Sequence, residues 1–274
     1  MSGLSSLWSK PVARSSDTDI CTVQNYYKIT IALDTLGSKN YTQDMTFHII
    51  TIFPNLFDSY LSDSIMKRAI ADKKIKVKFY NPRDFTNNKH KKVDDIPYGG
   101  GPGMIMTVQP IIDAWKKARG PKPKAGQVSR PKPRVGQRKK KFKTIILSPG
   151  GKEFTTAYAK KTAKNYTDII FICGRYEGID ARVKKIIGRE AEEVSIGNYV
   201  LTGGELATMV MVDSISRQID GVLGNRQSLE EERISSHEMY TRPEVIEFQK
   251  KKYRVPKVLT EGNHKLIDEW RKNH

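Results

Sequence analysis

Hydrophobic positions acquire a regular pattern only from Met45 onward. Residues 1–44 mix Ser, Thr and Asp with a few apolar pairs at no fixed period. The folded part is therefore expected to begin at Met45, with the preceding segment an extension or the product of a misplaced start codon. Residues 47–53, FHIITIF, form a nearly continuous apolar run that predicts a buried first strand. Over about 55–72, Leu56, Tyr60, Leu61, Ile65 and Ala69 are spaced for one face of a helix. Residues 76–80 predict a second strand, 81–95 a polar, basic loop and 107–118 a short helix. Strand, loop and helix then recur. Residues 144–147 lead to a helix near 155–164, and 168–172 to one near 180–187. This alternation predicts a parallel α/β sheet. The longest apolar helix spans 204–219, with Leu206, Met209, Val210, Val212, Ile215 and Ile219. A polar, acidic connector at 224–238 and a short helix at 265–272 complete the pattern, and no internal repeat is visible.

Between these elements lie four glycine-rich segments: residues 94–104 (DDIPYGGGPGM), 148–151 (SPGG), 173–178 (CGRYEG) and 195–205 (SIGNYVLTGGE). Such runs hold backbone angles that side chains forbid, or let another molecule approach the main chain. Two of them directly follow predicted strands. Loops at the ends of parallel strands are where α/β proteins bind ligands.

Composition narrows the classes. A chain of 274 residues with 38% apolar content can bury a substantial core, and no run approaches the length of a membrane span. The first residues lack the apolar stretch of a signal peptide. Cys21 and Cys173 stand far apart, so no disulfide framework or cysteine-based zinc site is indicated, and a reducing cytoplasm is the expected compartment. The net charge of +18 is unevenly spread. Residues 1–44 hold four basic and four acidic side chains, whereas residues 119–143 hold eleven Lys or Arg and no acid. A block of that kind suits a polyanion, nucleic acid first among them.

Several chemistries have nothing to stand on. No G-x-G-x-x-G opens a helix after the first strand, and Glu153 stands where a P-loop needs Ser or Thr. There is no G-x-S-x-G elbow, and the five histidines show no metal-ligand spacing. A cofactor must then sit on the late glycine-rich loops.

The strings PRDFT, VDDIPYGGGPGM, LSPGG, ICGRYEGID, SIGNYVLTGGEL, DSISRQIDGVLG, YTRPEV, VPKVL and GNHKLIDEWR occur in this order over residues 45–272. In this the chain resembles the bacterial tRNA (guanine-N1-)-methyltransferase family, which modifies position 37 beside the anticodon. The resemblance implies a SPOUT fold, an α/β domain with a parallel sheet and a deep trefoil knot that periodicity could never suggest. It implies a homodimer with a composite active site, tRNA recognised at its anticodon branch, S-adenosylmethionine as methyl donor, and magnesium dependence without a dedicated metal site. The domains would be an extension at 1–44, a methyltransferase domain at 45–223 with a basic insertion at 119–143, a connector at 224–242 and a shortened tRNA-binding segment at 243–274. By matching positions, main-chain groups of Leu147, Ser148 and Pro149 would hold the donor, together with Gly174, Tyr176, Glu177 and Gly178. The third set is Ile196, Gly197, Asn198, Tyr199, Val200 and Leu201, with Gly203 and Gly204. Guanine N1 carries a proton at neutral pH, so its methylation calls for a general base and for a donor to the developing charge on O6. Arg217, in DSISR, matches the active-site arginine of the family.

Three departures qualify the resemblance. The slot of the expected catalytic aspartate is Gln227 when anchored on Ser228-Leu229, and Glu232 when counted from Gly224. The carboxylates open to the role are Glu232, Glu231 and Glu230. The C-terminal segment ends shortly after Trp270-Arg271, where the family continues with a longer helical domain. The basic insertion replaces a short loop and is expected to add phosphate contacts. A SPOUT methyltransferase with another RNA target, or a catalytically weak tRNA-binding relative, are the alternatives.

Overall fold

The computed structural model describes residues 45–121, 140–224 and 238–273, all within the unit Tyr41–His274. Chain order begins with β1 (Met45–Ile50), α1 (Asp58–Leu61), α2 (Ser64–Ala71) and β2 (Ile75–Tyr80). The short strands β3 (Asp94–Asp95) and β4 (Ile105–Met106) and helix α3 (Val108–Arg119) follow. Then come β5 (Phe142–Glu153), α4 (Thr156–Asn165), β6 (Asp168–Ile172), α5 (Arg182–Ile187), β7 (Ala191–Ser195) and α6 (Gly204–Ser216). After the connector lie β8 (Val245–Phe248), β9 (Lys251–Arg254), α7 (Lys257–Thr260) and α8 (His264–Asn273).

Five strands form one sheet in the order β2-β1-β6-β5-β7, with every pairing parallel. The central strand, DIIFI, is buried along its whole length, as a parallel strand covered on both faces must be. One face carries Ile50, Ile146, Ile170 and Ile172 against Ile111 and Trp115 of α3 and Val183 of α5. The buried indole N–H of Trp115 donates to Thr144 Oγ1 at 3.0 Å, so the ring fills the core without orphaning its donor. Alternation along the strands turns Phe47, Ile49, Ile169 and Phe171 to the other face, where the rings of Phe47 and Phe171 lie 6.2 Å apart.

One buried polar pair crosses β1 and β6: His48 Nε2 lies 3.0 Å from Asp168 Oδ1, and His48 Nδ1 3.0 Å from the Tyr80 hydroxyl. Burial pushes the Asp168 carboxyl up. Hydrogen bonds from His48 and Thr167, with the Lys140 ammonium nearby, outweigh it and hold the group below the usual carboxylate range.

The structure corrects several expectations. The helix over 55–72 is broken. A 3-10 turn, Pro54–Phe57, runs into α1, and Asp63 then adopts an extended conformation and accepts from Ser64 N to start α2. The run Ser62-Asp63-Ser64 supplies cap residues in mid-pattern, and they end one helix and begin another. Strand β1 ends at Ile50, not at 53, because Thr51 Oγ1 accepts from Phe53 N and turns the chain. The strand expected at 144–147 does not stop at the glycine run: β5 resumes at Lys152, and Leu147 and Lys152 both pair with Val194. SPGG is thus a looped-out bulge. A Cβ at Gly151 would stand 2.5 Å from Val194 N, so only glycine lets the chain return to the sheet there. Several elements went unpredicted: β7 (AEEVS, too acidic to read as a strand), the short β3–β4 pair, the hairpin of β8 and β9, and the short helix α7. Among the described residues, no helix is long and apolar enough to cross a membrane.

Candidate active site

The C-terminal ends of three neighbouring strands, β6, β5 and β7, open on one side of the sheet, and their loops surround one cavity of about 220 Å³. The β5 bulge contributes Leu147, Ser148 and Pro149. The loop after β6 contributes Gly174, Tyr176, Glu177 and Gly178. The segment between β7 and α6 contributes Ile196, Tyr199, Val200, Leu201, Gly203 and Gly204. Residues separated by more than fifty positions in the chain therefore share one wall.

Gly204 shows why the motif takes this form. A Cβ there would lie 2.8 Å from Cys173 Cα and 3.1 Å from Gly174 N, and Gly204 N donates to Gly174 O at 2.9 Å. Main chain meets main chain where α6 starts, and a side chain would force the two loops apart. Behind this junction stands a charged network. Glu205, 1% exposed, accepts from Thr51 Oγ1 at 2.7 Å, and its other oxygen lies 2.8 Å from Arg175 Nε. That second contact is an ion pair whose N–H does not point along the line, so neither atom gains a well-directed hydrogen bond from it. The Arg175 guanidinium lies over the Phe53 ring at 4.7 Å, and its Nη1 donates to Thr202 O at 3.4 Å. Arg175 thereby ties the β6 loop to both the turn after β1 and the β7–α6 segment. Burial pushes the neighbouring Cys173 thiol up, so it stays protonated and serves as packing beside Thr208.

The glycine cluster at 99–103 does not line the cavity; it supports it from outside. Gly99, Gly100, Gly101 and Gly103 all have positive φ, forming the tip between β3 and β4. This hairpin is pinned to the β6 loop, with Glu177 N donating to Met104 O and Met106 N to Gly178 O, each at 3.0 Å. Gly103, at φ +82°, leaves no room for a Cβ beside the Glu177 side chain.

Of the expected donor-binding residues, Gly197 and Asn198 are not in the cavity wall. The Ser195 hydroxyl donates to Gly197 O at 2.8 Å within that turn. Val194, Ser195, Thr202 and Ala207 line the cavity and were missed. Ser195 and Thr202 lay inside the glycine-rich string, and Ala207 follows Gly204 by one helical turn, so spacing along the helix could have found it. Arg217 is not brought to this cavity. It caps the far end of α6, whose 13 residues separate it from Gly204 by about 20 Å at 1.5 Å per residue. Glu230, Glu231, Glu232 and Gln227 lie outside the described residues, as do residues 1–44 and most of the basic insertion. Among the described residues, no group of three or more His, Cys, Asp or Glu side chains is placed to hold a metal ion.

A family model described as tRNA (Guanine-1)-methyltransferase TrmD matches residues 45–274. Among curated relatives, a tRNA (guanine-N(1)-)-methyltransferase of Clostridioides difficile is 47% identical over 232 residues, covering 83% of this chain and 91% of its own length. One of the same name from Caldanaerobacter subterraneus is 44% identical over 234 residues, covering 83% and 86%. Another from Pseudoalteromonas atlantica is 42% identical over 229 residues, covering 82% and 78%. With the matched span taking in the whole parallel sheet and each loop around the cavity, the chain belongs to the tRNA (guanine-1)-methyltransferase family, whose fold is SPOUT.

Proposed function

We propose that this protein transfers a methyl group from S-adenosylmethionine to N1 of guanine 37 in tRNA. The observation that carries the reading is one cavity lined by residues of three strand-end loops. The donor set fits the cofactor. Gly174, Gly203 and Gly204 can offer the cavity wall only main chain, so their amides and carbonyls can meet an adenine edge and let it come close. When bound, S-adenosylmethionine supplies the electrophilic methyl carbon of its sulfonium.

The chain's own residues do the rest. Loops anchored by Arg175 and Glu205 hold the cavity in shape, which favours alignment over activation. A carboxylate of the connector, Glu232 first and Glu231 or Glu230 otherwise, accepts the proton of guanine N1. Arg217 stabilises the charge that grows on O6. Because α6 holds Arg217 about 20 Å from the Gly204 end of the same cavity, the arginine serves the cavity of a second copy. The homodimer of this reading is supported by an apolar face left open along α6 and α1. Leu206 is 56% exposed and Val210 48%, and they flank a groove shared with Leu56 and Tyr60. Burial and the Asp213 carboxylate push the Tyr60 hydroxyl in that groove up to about 12, so it is a neutral hydrogen-bond donor at the interface. A cytoplasmic location and dependence on magnesium belong to the same reading.

The experiment is methyl transfer from labelled S-adenosylmethionine to unmodified tRNA bearing guanine at positions 36 and 37, beside the same tRNA with adenine at 37. Transfer to the first alone is expected. Transfer to both would move the target, and transfer to neither, with tRNA and donor still bound, would make the chain a binding protein. Replacing Glu230, Glu231 and Glu232 together by Gln should abolish turnover and leave donor binding intact.

A further inference from the structure

The hairpin of β8 and β9 carries a surface that the cavity does not explain. Its register pairs Ile246 with Tyr253 and Phe248 with Lys251, so these four side chains share one face. That face is open: Ile246 is 56% exposed, Phe248 61% and Tyr253 51%. Two rings and an isoleucine on a two-stranded ribbon have no reason to face water for stability's sake. The Lys251 ammonium lies 5.4 Å from the centroid of the Tyr253 ring, which places a cation at the edge of the aromatic surface. The other face and the turn add Lys250, Lys252 and Arg254, against one acid, Glu247. The turn itself holds Gln249 at φ +51° and Lys250 at φ +62°, the left-handed region that a two-residue hairpin turn requires. Glycine or asparagine would be at ease there. The chain instead keeps a long polar side chain and a cation at the tip, at a conformational cost.

We infer that this face is a stacking platform for unpaired nucleotides of an RNA loop, with Phe248 and Tyr253 receiving bases and Lys251 on the same face and Lys250 at the turn meeting the phosphates. Aromatic rings interleaved with cations on an open sheet are the recurring solution for single-stranded nucleic acid, since every base offers a π-face and every nucleotide a charge. A second copy of this chain would carry the same basic hairpin, and Lys250 and Lys251 facing their equals oppose that occupant. The inference rests on tRNA being the substrate and names where its unpaired loop is held.

The test uses the full chain and filter binding of unmodified tRNA at several salt concentrations, with a fully paired RNA duplex as the comparison probe. Phe248→Ala and Tyr253→Ala should each weaken tRNA binding about tenfold, the size of one lost base–ring stack. Tyr253→Phe and Phe248→Tyr should stay near wild type, and duplex binding should ignore all four. Lys250→Gln with Lys251→Gln should lower the slope of log K against log salt by about 0.7 to 0.9 for each lost phosphate contact. Both rings are exposed, so the melting temperature should not move. Equal tRNA affinity for wild type and the alanine variants overturns the inference, as does a loss shared by ring-keeping and ring-deleting variants. If the alanine variants alter only the sedimentation of the protein alone, the face belongs to a second copy and the inference fails. Ring-dependent binding by a chain that methylates no tRNA would leave the platform standing and defeat the proposed activity. Methylation with ring-independent binding would do the reverse.

Discussion

Mixing two inactive variants should restore activity if α6 spans from one active site to the next. Arg217→Ala removes the arginine and leaves the cavity whole. Ser148→Trp crowds the cavity from the β5 bulge, a half-buried position outside the packed core, and leaves Arg217 whole. Each alone should lose turnover by two orders of magnitude or more, about the size of losing one charge-stabilising donor. In a mixed dimer, one active site combines the intact cavity of the first chain with the intact arginine of the second, and the other site carries both lesions. Random exchange of equal amounts makes half of the dimers mixed, so about a quarter of wild-type sites should return. A site built within one chain predicts none, because every chain then carries a lesion of its own. The structural basis is length. The 13 residues of α6 put about 20 Å between the cavity end and Arg217, more than an arginine side chain can cross. The assay is methyl transfer after co-refolding or subunit exchange, with mixed dimers verified by native mass spectrometry. Activity no greater than the sum of the parents, with mixed dimers present, would refute the reasoning.

Three further outcomes follow from particular residues. Gly151→Ala should destabilise by about 1 to 3 kcal/mol in urea melts, because its Cβ meets the backbone of Glu193 and Val194, while Gly150→Ala, facing open space, should stay within about 0.5 kcal/mol of wild type. Asp168→Asn should cost about 3 kcal/mol at neutral pH by breaking the buried pair with His48. Since the folded Asp168 carboxyl titrates below its unfolded value near 3.9, its contribution is present above that value and lost as pH falls through the folded one. The variant should therefore show a shallower fall of stability with acid below about pH 4. Deleting residues 122–139 spares Lys140 and Lys141, which contact Asp168 and Thr167, and should weaken tRNA binding and flatten its salt dependence. Unchanged affinity and slope would show the insertion to be a passive linker.

What the chain declared in advance was the parallel core. The strand at 168–172 was legible because a central parallel strand has no polar face to dilute its apolar run. Helices α3 and α4 were legible because each buries a single stripe. The glycine-rich loops were legible as loops, yet not as a bulge. Nothing local tells that Lys152 returns to the partner that Leu147 had left, since the cause is Val194, more than forty residues away. β7 was hidden by its acids: Glu192 and Glu193 pair with Lys143 and Lys184, so charges that read as loop sit on an edge strand. The network of Thr51, Glu205 and Arg175 had no sequence signal, because its members come from three distant segments that only the sheet order unites. Arg217 was singled out through resemblance alone, and its distance from the cavity had no signal in the sequence.

The position of Glu205 explains how one helix can serve two tasks. A carboxylate 1% exposed is costly to bury, and this one sits in the first turn of α6, where the positive end of the helix dipole offsets part of that cost. Thr51 and Arg175 supply the remainder, and in doing so they clamp the start of α6 to the ends of β1 and β6. A helix fixed rigidly at its first turn transmits that placement along its axis, so the clamp also sets where Arg217 stands. On the proposed dimer, the ion pair beside one cavity therefore positions the arginine of the other. Glu205→Gln would leave both the cavity lining and Arg217 chemically intact, yet it removes the charge that holds Arg175. Turnover should then fall through misplacement at both ends of the helix. In mixed dimers with an otherwise wild-type chain, each active site would still contain one loosened helix end. Such dimers should fall below the mean of the two parents, whereas a lesion confined to its own cavity would give that mean.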